Sequence, residues 1–261
     1  MLPNRLIPVP ALADNYVWLL ADGAGRALIV DPGDAAPVFA ALDRERLHPS
    51  AIVLTHHHPD HIAGVGKLLE LYPDLAVIAP HDPRIATASR RVADGDRVEL
   101  DAPRAAFDVI AIPGHTLTHI AYFGAGVVFA GDTLFSVGCG RLFEGTPAQM
   151  LASLDRLSTL PAATLLCCGH EYTEANCAFA LAVDADNEAL QRRAAEVRAM
   201  RARREPTLPV TLGLELETNP FLRIDAPALR EACSRELDTA VAQDRIARFA
   251  WLRARKDVFR A

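Results

Sequence analysis

Short apolar runs alternate with turn residues over the first two thirds of the chain. "YVWLLA" (16–21), "ALIV" (27–30), "AIVL" (51–54), "LAVIA" (75–79), "FDVIAI" (107–112), "IAYF" (120–123), "VVFA" (127–130) and "TLLCC" (164–168) are too short for helices, and several are β-branched. Their length and boundaries predict strands. Helical patterns lie between some of them, most clearly "GVGKLLELY" (64–72) and "PAQMLASLDRL" (147–157). Thr146 suits the N-cap of the second, and Pro147 its first turn. This mixture predicts an α/β or α+β layered domain.

The pattern changes after about residue 172. "NEALQRRAAEVRAMRARRE" (187–205) has no Gly or Pro and predicts a helix. A proline-punctuated connection follows over 205–225. Asp225 is expected to cap a helix over "APALREACSREL", and "AVAQDRIARFAWLRARK" predicts a last helix. Leu208, Leu212, Phe221, Phe249 and Trp251 supply apolar surface for a small helical domain. The expected division is therefore 1–172, a layered domain of strands and helices, and 173–261, a small helical domain.

Composition narrows the class. The chain has 261 residues, 51% hydrophobic and 23% charged, enough for one large domain or a medium domain with a small one. No apolar run reaches the length of a membrane span. The N-terminus "MLPNRLIPVPALADNY" is broken by prolines at 3, 8 and 10, so no signal peptide and a cytoplasmic location are expected. The 5 cysteines include no C-x-x-C and are expected to be buried small apolar residues. A net charge of −6 gives no bulk attraction to nucleic acid.

Candidate chemistry sits where strands end. "AIVL" runs into Thr55-His56-His57-His58, "VIAI" into Pro113-Gly114-His115, "VVFA" into Gly131-Asp132, and "LLCC" into Gly169-His170. A sheet aligns such ends along one edge, so distant residues can meet there. A lone strand-end histidine is more often a surface residue, and Asp132 alone could simply form a turn. The dense "HHHPDH" cluster together with three more strand-end ligands argues for a site. His56, His58, Asp60, His61, His115, Asp132 and His170 are too many ligands for one tetrahedral ion and suit two, with one carboxylate bridging. Two such ions hold and acidify a water, which implies hydrolysis. His57 is expected to be no ligand, because its neighbours share a direction that it cannot. His48 and His81 read as surface, His119 as a neighbour of the site, and the arginines of 192–204 as a solvated face.

"THHHPDH" (55–61), "GHT" (114–116), "GDT" (131–133) and "GHE" (169–171) resemble the signature of the metallo-β-lactamase superfamily. That resemblance implies an α+β protein with an αββα four-layer sandwich and a dinuclear site at one edge. "GDTLFSVGCGRLFEGT" (131–146), "GHEYTEAN" (169–176), "PTLPVTL" (206–212), "NPFLR" (219–223) and "RARKDVF" (253–259) resemble the glyoxalase II family, the hydroxyacylglutathione hydrolases, over essentially the whole chain. The family's reaction is hydrolysis of S-D-lactoylglutathione to glutathione and D-lactate, the second step of methylglyoxal detoxification. The resemblance implies that His56, His58 and His115 hold one ion, Asp60, His61 and His170 the other, and that Asp132 bridges. The two divalent ions are expected to be zinc, with iron or manganese as alternatives. Asp60, His56 and His58 are then catalytic: Asp60 orients the bridging water and the ion on His56 and His58 stabilises the oxyanion. Arg141, Phe143, Tyr172, Arg253 and Lys256 correspond to the family's glutathione contacts. Some members have Tyr where Phe143 stands, and Phe has no hydroxyl to donate. The implied partner is the small thioester alone, with no nucleic acid and no membrane, on a monomer. Rivals are a mononuclear-iron persulfide dioxygenase, a nuclease and a non-catalytic binding protein; the first predicts one metal per chain and oxygen consumption.

Overall fold

The computed structural model describes residues 4–260, which divide into two compact units. One gathers the chain up to Ala111 with Thr118–Gly131 and Cys167–His170; the other gathers Ile112–Leu117, Asp132–Leu166 and the residues from Glu171 on.

In the first unit, β1 (Arg5–Ala11), β2 (Asn15–Ala21), β3 (Arg26–Val30), β4 (His48–Val53), β5 (Ala76–Pro80) and β6 (Arg90–Val92) form a sheet in that order. The pairs β1–β2 and β2–β3 are antiparallel, and the later pairs are parallel. The prolines at 8 and 10 lie within β1, opposite Trp18 and Tyr16. They are tolerated because β1 is an edge strand, where a missing N–H breaks no ladder. Asp34 caps α1 (Ala35–Glu45) by accepting from the Ala36 N–H at 3.0 Å, and Arg46 ends it in the left-handed region. A short α2 (Pro59–Ile62) precedes α3 (Val65–Leu71). Val38, Ala41 and Leu42 of α1 and Val65 and Leu68 of α3 join Leu19, Ile29, Ile52 and Leu54 in one core. Each large buried side chain there contributes about 1.5–3 kcal/mol.

The second sheet runs β14-β13-β10-β9-β8-β7, with β7 (Arg97–Asp101), β8 (Arg104–Ala111), β9 (Ile120–Gly124), β10 (Val127–Gly131), β13 (Leu165–Cys168) and β14 (Val210–Thr211). The Tyr122 hydroxyl on β9 lies 3.0 Å from the Leu54 carbonyl and 3.2 Å from that of Ile78, so it ties this sheet to the first. A mixed first sheet, a second sheet in which β7–β8, β8–β9, β9–β10 and β13–β14 pair antiparallel, and the accompanying helices bear out the expected α+β class. All 8 predicted strands are present within a residue or three of their expected bounds. A small hairpin, β11 (Leu134–Phe135) with β12 (Gly138–Cys139), was not anticipated.

The second unit carries most of the helices. Thr146 and Gln149 close a reciprocal capping box on α4 (Pro147–Ser158), as the sequence predicts. Then come α5 (Thr173–Val183), α6 (Glu188–Ala202), α7 (Leu212–Thr218), α8 (Pro227–Ser234), α9 (Thr239–Gln243) and α10 (Arg245–Val258). Two expectations need correction. Asp225 does not cap α8; Ala226 occupies the N-cap, while the Asp225 carboxylate binds Arg230, Arg245 and Arg248. The expected last helix is broken at Asp244, whose side chain accepts from the Ile246 N–H at 2.9 Å and starts α10 afresh. Leu208, Leu212, Phe221, Phe249 and Trp251 are all buried, and so are the five cysteines. Among the described residues no helix is long and apolar enough to cross a membrane.

Candidate metal centre

The four expected strand ends do carry the candidate ligands. β4 leads into Thr55 and His56, β8 into His115, β10 into Asp132 and β13 into His170. His58 is the N-cap of α2, so Asp60 and His61 lie in its single turn. Ligand atoms within 4.8 Å of one another define three groups: His56, His58, His115 and Asp132; Asp60, His61 and His170; and Asp31, His56 and His61. His56, His61, His115, Asp132 and His170 are buried, while His58 and Asp60 are partly exposed. Imidazole nitrogen and carboxylate oxygen in this mixture fit zinc, iron or manganese.

Hydrogen bonds set the tautomers. Thr55 Oγ1 donates to Asp31 Oδ2 at 2.7 Å, so its oxygen accepts from His56 Nδ1 at 3.0 Å. His56 Nε2 is then turned toward His58 Nδ1, 3.1 Å away. Carboxylate and carbonyl oxygens can only accept, which protonates Nδ1 of three further rings. His61 Nδ1 meets Asp31 Oδ2 at 3.1 Å, His170 Nδ1 meets Asp14 Oδ1 at 2.8 Å, and His115 Nδ1 meets the Arg141 carbonyl at 2.9 Å. Nε2 of each is left with its lone pair for a cation. Those Nε2 atoms lie 3.6 Å (His61) and 3.3 Å (His170) from Asp60 Oδ2, and 3.5 Å (His115) from Asp132 Oδ2. Asn15 Nδ2 donates to Asp60 Oδ2 at 3.0 Å and fixes that carboxylate. A Cβ on Gly33 would sit 1.8 Å from the Asp60 carbonyl, so only glycine lets the segment after Asp31 lie against α2.

Sequence reasoning missed Asp31, Asp14 and Asn15. A signal existed for Asp31: "ALIV" ends in it just as the other runs end in ligands. His57 falls in none of the three groups; its Nδ1 lies 3.4 Å from the buried carboxylate of Asp82. Arg84 beside it holds the Asp82 carboxyl far below the usual carboxylate range. His48 and His81 are exposed. His119 is buried and stacks on His56, with ring centroids 4.5 Å apart.

The residues proposed to touch substrate are placed differently. Arg141 is exposed, with Nε 3.6 Å from Asp257. Phe143 is 62% exposed, its ring edge-on to His115 at 5.2 Å. Tyr172 starts α5 and meets the Phe135 ring at 5.1 Å. Lys256 Nζ donates to the Ala175 carbonyl at 3.1 Å and lies over Phe179. Burial, then the charges of Arg253 and Arg141, push its ammonium down to about 8. Arg253 is 5% exposed and donates to the Cys139 carbonyl at 2.7 Å. Burial pushes the Cys139 thiol up to about 11, which keeps it an inert thiol.

Residues 12–170 match the family model of the metallo-beta-lactamase superfamily, and 171–259 match the hydroxyacylglutathione hydrolase C-terminus. A hydroxyacylglutathione hydrolase of Xanthomonas axonopodis pv. citri is 54% identical over 257 residues, covering 98% of this chain and 100% of its own. Among solved structures, the BLEG-1 B3 metallo-beta-lactamase superposes with a TM-score of 0.63 at 25% identity, covering 84% of this chain and 99% of its own. TTHA1623 in a di-iron-bound form gives 0.58 at 29% identity, covering 83% and 100%. The chain belongs to the hydroxyacylglutathione hydrolases of the metallo-β-lactamase superfamily.

Proposed function

We propose that this chain hydrolyses S-D-lactoylglutathione to glutathione and D-lactate, the second step of methylglyoxal detoxification. The observation that carries the reading is the grouping of His56, His58, His115 and Asp132 beside the Asp60, His61 and His170 group. His56, His58 and His115 would hold one divalent ion, Asp60, His61 and His170 would hold the second, and Asp132 would serve both. Zinc is the expected metal, and iron or manganese fit the same donors. Two such ions supply Lewis acidity and a hydroxide at neutral pH. The 54% identity to a hydroxyacylglutathione hydrolase over 98% of this chain supports the substrate.

The chain's own residues do the rest. Asp31, Asp14 and the Arg141 carbonyl hold three imidazoles in the tautomer that presents Nε2. Asn15 orients Asp60, whose remaining acceptor capacity directs a water proton away from the thioester carbon. The glutathione thiolate leaves without a protein acid, because a thiol of pKa ~8.5 is a fair leaving group. Arg141 and Lys256 offer cations to the two carboxylates of glutathione. Phe143 packs against the ligand. We read residues 1–172 as the catalytic domain, 173–261 as the helical substrate-binding domain, and the protein as a cytoplasmic monomer.

The test follows both products of S-D-lactoylglutathione at once. Thiol and D-lactate should appear in equal amounts without oxygen uptake. Oxygen consumption with a glutathione persulfide, and no release of D-lactate from the thioester, would replace this reading with the dioxygenase.

A further inference from the structure

The hairpin β11–β12 is held from outside itself, almost atom by atom. Glu215 on α7 is wholly buried. Its Oε1 accepts from Ser136 Oγ at 2.7 Å and its Oε2 from the Val137 N–H at 2.7 Å. Asn219, just beyond α7, brings Nδ2 to 3.1 Å from the Phe135 carbonyl, 2.9 Å from that of Gly138 and 3.0 Å from Glu215 Oε2. Asn176 of α5 donates to the Ser136 carbonyl at 3.0 Å, and Arg253 of α10 to that of Cys139. A Cβ on Gly138 would fall 2.4 Å from Asn176 Nδ2, so the fit is close.

The hairpin needs this support. Val137 has φ of 57°, a left-handed conformation that a β-branched side chain strongly resists. The bond from its N–H to Glu215 opposes relaxation to extended backbone. The chain then runs through Gly140 to Arg141 and Phe143. That segment is fixed at its far end, where the His115 carbonyl accepts from the N–H groups of Phe143 and Glu144. Its near end continues directly from the hairpin, where the Gly140 N–H donates to the Thr133 carbonyl at 3.1 Å and the Arg141 carbonyl accepts from His115 Nδ1 at 2.9 Å.

The structure assigns Glu215 and Asn219 as positioning residues for the hydrolysis: they hold the 135–139 hairpin so that Arg141 is presented to the glutathione part of the substrate. Neither touches the substrate. The assignment rests on the proposed function, since Arg141 must bind the thioester. It gives "NPFLR" a chemical reason, because Asn219 is its first residue.

Glu215→Gln keeps shape but turns an amide toward the Ser136 and Val137 donors. Its KM for S-D-lactoylglutathione should rise about tenfold, with kcat within about threefold. Metal content should match the parent, and amides of 134–141 should exchange hydrogen faster. Ser136→Ala removes one donor and should move KM the same way by less; it carries the test if Glu215→Gln does not fold. Leu229→Ala, in the buried face of α8, lowers stability without touching the hairpin and should leave KM alone. An unchanged KM in both hairpin variants, or a KM rise shared by Leu229→Ala, would overturn the assignment. If the parent fails to turn over the thioester, the proposed function falls; faster exchange in Glu215→Gln then still reports the clamp, now without its catalytic purpose.

Discussion

The candidate metal ligands and the glutathione-binding candidates are braced in opposite ways. The candidate ligand histidines are mostly buried, and a second side chain or carbonyl fixes four of the rings, those of His56, His61, His170 and His115: Thr55, Asp31, Asp14 and Arg141 through its backbone. Arg141 and Phe143 are exposed, and what is braced is the backbone that leads to them. A cation needs several atoms within a few tenths of an ångström, so each ligand must be locked. A flexible peptide such as glutathione tolerates mobile side chains on a fixed backbone, which can adapt to its carboxylates.

This contrast orders the expected effects of substitution. Asp132→Ala should lose metal and turnover together, with kcat down by at least ~1000-fold, or about 4 kcal/mol in the barrier. Metal analysis beside a rate assay checks it, and retention of both would remove Asp132 from the centre. Asp31→Ala unlocks His61 and Thr55 and should weaken metal affinity ~10–100-fold in chelator competition. On the other side, Arg141→Ala should raise KM roughly tenfold at nearly constant kcat, with metal affinity unmoved. Loss of metal in this variant would erase the distinction, because only the Arg141 backbone is meant to serve His115.

The pH dependence of KM is a finer probe. Burial pushes the Lys256 ammonium down to about 8. Its charged form attracts a carboxylate, so affinity is complete below that pH and falls as pH rises through it. Lys256→Arg keeps the charge and should flatten the rise in KM between about pH 7.5 and 9. A profile identical to the parent's would place the carboxylates elsewhere. The smallest effect is expected at Thr146→Ala, which removes the α4 cap and costs about 1 kcal/mol of stability with no change in metal affinity or KM.

The inner strands and the capped helix α4 were legible because their apolar length and cap residues are local properties. β1 was not, since its prolines read as breaks until its edge position is known. Asp225 looked like a cap because side-chain competition from Arg230, Arg245 and Arg248 comes from 5 to 23 residues away. The candidate ligands were visible as a strand-end pattern with dense histidines. Their braces were harder to see: Asp14 lies 156 residues from His170, and Glu215 lies 79 from Ser136. Nothing local marks a carboxylate whose partner is that distant.

The most direct test of the central claim is metal stoichiometry measured on the same purified sample that is assayed with S-D-lactoylglutathione. The account predicts two divalent ions per chain and thioester hydrolysis that falls in step as a chelator removes them. Full turnover with one ion per chain, or two bound ions with no turnover, would contradict it.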